Sequence, residues 1–211
     1  MITPYIHEFL MLTLIHFLAV ISPGPDFAVV VRQSISFGRK TAIVTSLGIG
    51  AGISVHVIYT LLGIGFLITQ SESALMAAKI GGALYLSYLG LKLLSSKAQT
   101  SENAEIALDL DKKDHQRAFL LGFMTNLLNP KATLFFLAIF TTVVSINTPL
   151  AVQSIYGFWL TISTALWFSL VSVFFSQQKL RAKFLRHGHW FERVMGLILL
   201  LFAARLVITL L

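Results

Sequence analysis

Ser22-Pro23-Gly24-Pro25-Asp26 interrupts an apolar run extending over residues 5–34, and Asn126-Leu127-Leu128-Asn129-Pro130-Lys131 interrupts a second run over residues 117–146. Two prolines and a glycine in the first stretch, and Asn-Pro in the second, end a helix and start another, because proline has no amide donor and glycine tolerates unusual backbone angles. In hydrocarbon a freed backbone N–H or C=O costs several kcal/mol, so a helix broken at membrane depth survives only where protein or a hydrated cavity covers the break. Matched breaks in two halves of a chain point to a central binding site between them.

The surrounding composition makes the membrane setting firm. Of 211 residues 56% are hydrophobic and only 12% charged, outside the range of soluble globular domains. With about 20 apolar residues needed per span, the chain divides into six runs near 5–34, 41–69, 73–95, 117–146, 149–176 and 191–211. The first and fourth are long for single spans, an excess that a split helix absorbs. No basic segment precedes the first run and no small-residue cleavage site follows it, so it reads as a retained span. The fold expected is an all-α membrane protein of six transmembrane helices, with helices 1 and 4 broken near the midplane.

Charge sorts by loop. At the 1–2 connection, counting the run ends that border it, lie Arg32, Arg39 and Lys40; at the 3–4 connection Lys92, Lys97, Lys112, Lys113 and Arg117; at the 5–6 connection Lys179, Arg181, Lys183, Arg186 and Arg193. All thirteen fall on one side of the membrane, and the positive-inside rule makes that side cytoplasmic, leaving both termini outside. The net charge of +7 therefore finds its partner in anionic lipid headgroups, not in nucleic acid. The polar stretch 96–116 reads as a cytoplasmic linker between a first repeat over 1–95 and a second over 117–211. Three spans per half thread the second half in the opposite sense, the geometry of a 3+3 inverted repeat.

Several residues carry candidate chemistry. Pro25 suits the first position of a restarted helix, whose N-terminus attracts anions, while the carbonyl end of the preceding half-helix attracts cations. Together the two poles suit a zwitterion held by Ser22, Pro23, Gly24 and Pro25. Asp26 falls in the first turn of the restarted helix, where a carboxylate costs about 2.5–3.5 kcal/mol to insert. It either holds an ammonium, carries a coupling proton, or serves as a helix-stabilising carboxylate. Asn129 and Pro130 repeat the cap-and-restart design. Asn126 bonds substrate or bridges helices, and Lys131 faces a substrate carboxylate or Asp26, or forms a structural ion pair.

Outside the breaks, His16 and His56 titrate near neutrality when unperturbed and are candidate proton carriers beside Asp26, although a buried neutral histidine is the plainer reading of each. Thr41, Thr45, Gly48, Gly52, His56 and Tyr59 form a small and polar stripe at helical spacing, which signals close helix packing. Lys79 and Arg205 lie near outer span ends, where they either snorkel to headgroups or reach substrate; Trp167 and Tyr85 are packing residues or lining. Cysteine is absent, and so are the HExxH, phosphate-loop and Gly-x-Ser-x-Gly motifs. Nothing therefore indicates an enzyme or a cofactor. His187-x-His189 alone resembles a metal pair, in a basic loop with few carboxylates.

At these residues the sequence resembles the LysE/RhtB family of amino-acid exporters, and within it the homoserine/threonine efflux group. Three stretches carry the likeness: Ser22 to Phe27; Lys79 to Gly90, which includes Gly81-Gly82-Ala83-Leu84-Tyr85; and Gly122 to Ala132 with its Asn129-Pro130-Lys131-Ala132. The resemblance implies a bacterial inner-membrane secondary transporter exporting a small neutral amino acid, threonine or homoserine, coupled to proton influx. Other members export lysine, arginine, cysteine or leucine, so a different amino acid is the first alternative. A metal-ion exporter on a related scaffold is the second. A homo-oligomer is compatible with both.

Overall fold

The computed structural model describes residues 3–22, 24–70, 72–96, 114–145 and 147–210; Pro23 and most of the expected linker lie outside them. Among the described residues every regular element is helical. The first apolar run forms α1 (Thr3–Ile21) and α2 (Pro25–Ser36), and the fourth forms α5 (His115–Leu127) and α6 (Pro130–Thr142). The other runs form α3 (Arg39–Gln70), α4 (Glu72–Leu94), α7 (Leu150–Phe175) and α8 (Gln178–Leu210). Each expected break is present: the helix axes bend by 57° between α1 and α2 and by 56° between α5 and α6. Helices α3 and α7 are long and apolar enough to cross a membrane, and each bent pair qualifies as one further span, giving up to four. Helices α4 and α8 coincide with the third and sixth apolar runs.

One boundary differs from expectation. The basic segment between runs 5 and 6 is helical from Gln178, continuous with the apolar part of α8. No proline interrupts residues 178–190, and the single Gly188 costs only about 1 kcal/mol relative to alanine, too little to stop the helix.

Burial is inverted relative to a water-soluble fold. Leu62, Leu84, Phe158, Leu166 and Ile208 are all more than half exposed, while Thr45, Ser46, His56, Asn126, Thr164 and Ser172 are fully buried. Such an apolar exterior would aggregate in water; against lipid it is the ordinary outer surface. Helix α3 packs along α5 and α7, α4 along α8 and α6, and α2 along α3 and α7. The small-residue stripe on α3 makes the closest of these contacts. A Cβ on Gly48 would overlap the Phe119 carbonyl oxygen, one on Gly122 would overlap that of Thr45, and one on Gly52 would lie 2.7 Å from Asn126 Oδ1. Glycine is required here for backbone to meet backbone, and the close approach of α3 to α5 positions the second break.

Candidate functional site

Each break is built as its residues dictate. Gly24 is extended (φ −165°, ψ −170°) and passes without a side-chain cap into Pro25 at the start of α2. In the second break the Asn129 side chain accepts from the Lys131 amide at 3.0 Å, and Pro130 opens α6. This is the cap-and-proline arrangement the sequence implies.

The breaks meet and brace each other. Asp26 Oδ2 accepts from Asn126 Nδ2 and from Asn129 Nδ2, both at 3.0 Å. Lys131 reaches the other way, donating from Nζ to the carbonyls of Ala19 and Ser22 at 3.1 Å each and to Ser22 Oγ at 2.9 Å. An ammonium at the negative pole of α1 is favoured by the helix dipole and satisfies carbonyls that the helix end leaves without partners. The pole that the sequence suggests for a substrate cation is thus occupied by Lys131. No ion pair joins Lys131 to Asp26: among the described residues the salt bridge formed is Arg117 to Asp114, at 2.9 Å. Asp26 Oδ1 and Asn126 Oδ1 are buried without a hydrogen-bond partner, and an unsatisfied buried oxygen is costly unless something completes it.

These groups line one cavity of about 40 Å³. Ser22, Gly24, Asp26, Asn126, Asn129 and Lys131 contribute to its wall, joined by His16 of α1 and Thr164 of α7. Phe135, Phe136 and Phe168 supply apolar surface. His16 Nε2 and Thr164 Oγ1 lie 3.0 Å apart, and His16 Nδ1 is buried and unpartnered.

His56 has a different position. A carbonyl only accepts, so Nε2 donates to Asn126 O at 2.9 Å, and in the neutral ring Nδ1 accepts from the Tyr59 hydroxyl at 2.6 Å. Both nitrogens are engaged, and the ring stacks on Phe136 with an 8° interplanar angle. His56 therefore props the carbonyl end of α5 from behind the cavity. Tyr85 does similar work for α6, donating to Lys131 O at 3.0 Å. Lys79, Trp167 and Arg205 do not line the cavity; Arg205 is exposed and Lys79 half-buried. Among the described residues no group of three His, Asp or Glu is placed to hold a metal ion.

Three polar groups escaped the sequence reading. Thr164 gives no signal, being one hydroxyl in an apolar run. Glu8 accepts from the Ser145 amide (3.1 Å), Thr148 Oγ1 (2.8 Å) and Tyr156 OH (3.4 Å), tying the start of α1 to the α6–α7 connection. Glu192 is buried beside Ser96, whose carbonyl also accepts from Arg193 Nε at 3.2 Å. Glu8 and Glu192 were visible as acids within apolar runs; their partners were not.

A family model for LysE type translocators matches residues 17–210. The chain is 30% identical to the threonine efflux protein of Salmonella typhi, over 95% of its own length and 98% of that protein. It is 29% identical to the threonine efflux protein of Escherichia coli K12 over the same shares. An uncharacterized membrane protein of Bacillus subtilis, YrhP, is 28% identical over 88% of this chain and 91% of its own. No solved structure matches. A family match that spans both breaks and reaches from α1 to the end of α8 leaves one conclusion: the chain belongs to the LysE family of translocators.

Proposed function

We propose that the protein is a secondary active transporter that exports a small neutral amino acid, threonine or homoserine, from the bacterial cytoplasm across the inner membrane, by alternating access around the two breaks. The observation that carries the proposal is the meeting of two severed spans at one cavity, with a carboxylate from one span and an ammonium from the other in its wall. The threonine efflux relatives support the substrate class. Six spans in a 3+3 inverted repeat, with both termini outside, supply the two-state framework, and the equal bends of the two pairs support it.

Asp26 is the proton carrier in this reading. It is the carboxylate in the cavity wall, and its free Oδ1 is available to a proton or to the substrate ammonium. One proton entering down a potential of about 100 mV releases about 2.3 kcal/mol; at 1.4 kcal/mol per decade this sustains roughly a 50-fold substrate gradient.

The test is transport by purified protein in vesicles, with labelled threonine, homoserine, lysine and cysteine presented separately and a proton gradient imposed or collapsed. Gradient-dependent movement of threonine or homoserine, lost in Asp26→Asn, is the expected result. Movement of lysine or cysteine alone would reassign the substrate. Movement of zinc or cadmium with no amino acid would overturn the reading.

A further inference from the structure

The charged half of the cavity is accounted for by a zwitterion's ammonium and carboxylate, but one polar pair in its wall is not. His16 lies on α1 six residues before Ser22, and Thr164 on α7, outside both broken spans. They bond to each other through Nε2 and Oγ1 at 3.0 Å, the His16 ring is almost fully buried, and its Nδ1 has no partner. A buried nitrogen left unsatisfied costs the desolvation of that group, so a histidine kept in this condition beside a cavity is poised for a visitor. Phe17, Phe135 and Phe136 surround the ring at centroid distances of 6.1–6.3 Å. They offer it no hydrogen bond and hold its orientation.

We propose that His16, oriented by Thr164, is the specificity-determining residue that hydrogen-bonds a hydroxyl on the side chain of the transported amino acid. This deepens the export reading and rests on it. The chemistry selects a hydroxyl in particular. If Thr164 donates to Nε2, then Nδ1 carries the hydrogen and needs an acceptor; if Nε2 donates to Thr164, then Nδ1 needs a donor. An ammonium only donates and a carboxylate only accepts, whereas an alcohol does both and satisfies either tautomer. The phenylalanines provide the apolar surface against which its methyl or methylene groups pack.

The experiment uses the full-length protein in vesicles and compares substrates with their near-isosteric apolar analogues: threonine with valine, and homoserine with norvaline. The wild-type protein is expected to favour each hydroxylated member by about tenfold, the size of one neutral hydrogen bond. In His16→Phe the preference falls toward unity. In Thr164→Val it falls in the same direction, and Thr164→Ser restores it. A wild-type protein that moves valine as readily as threonine overturns the proposal whether or not any variant folds. So does an unchanged threonine-to-valine ratio in the variants that insert. If the wild-type protein moves no amino acid, the export reading fails and takes this inference with it.

Discussion

Asp26 and Lys131 are opposite charges that share a cavity without forming an ion pair, and each is held by neutral groups of the other broken span. Asp26 accepts two amide hydrogen bonds on one oxygen, so Asp26→Asn is nearly isosteric but presents either a weaker acceptor or a donor to the donors of Asn126 and Asn129. It is expected to reduce amino-acid flux to background while leaving the protein inserted, as checked by vesicle transport beside a membrane-extraction assay. Lys131→Met removes three donated bonds from the end of α1. Bonds to charged groups are each worth about 1.5–3 kcal/mol, so this variant is expected to lower thermal stability in detergent as well as to abolish flux. A melting temperature equal to wild type would show that the α1 terminus finds other partners. The sequence disclosed which residues gather here, because proline, glycine, asparagine and charge are all anomalous in an apolar run. It did not disclose that Lys131 caps α1, since the partners are backbone carbonyls and carbonyls leave no trace in sequence.

Between elements, the packing of α3 against α5 decides where the second break lies. Gly48→Ala or Gly122→Ala gains about 1 kcal/mol in helix propensity, but the added methyl meets a main-chain oxygen that moves only if the helix moves. Overpacking of about 1–3 kcal/mol outweighs the gain. Both variants are expected to melt at lower temperature than wild type, and unchanged melting would mean that α3 and α5 separate easily. The Glu8 tie between α1 and the α6–α7 connection gives a second expectation. Glu8→Gln weakens acceptance from Thr148 and Tyr156, and with about 1.4 kcal/mol lost the end of the bundle that the charge pattern places outside is expected to open about tenfold more often. Faster labelling of Ala132→Cys by an impermeant thiol reagent added outside would register this; an unaltered rate would show that the tie does not restrain access. The α3 stripe was legible from its period, as were both breaks from their prolines. The Glu8 tie and the His16–Thr164 pair were not, because each joins residues more than 130 apart, and a single sequence records no such pairing.

For the molecule as a whole, the absence of cysteine makes orientation directly measurable. Asn147→Cys, in the α6–α7 connection, is expected to react with impermeant reagent from outside intact cells, and Lys40→Cys, at the start of α3, only after the inner face is exposed. The opposite pattern would invert the topology drawn from charge. The apolar runs foretold every helix, whereas the helical start of α8 at Gln178 contradicts the rule that a basic stretch is a loop; a charged segment with no breaker is simply a helix in water. The reciprocal bracing of the breaks bears finally on the energetics of the cell. The ammonium of α6 fastens α1, and the amides of Asn126 in α5 and Asn129 at the start of α6 fasten the carboxylate of α2, so each broken span holds the other. In the proton-coupled reading proposed above, a carrier interlocked in this way would turn as one piece, and an energised membrane could hold many copies of it without short-circuiting.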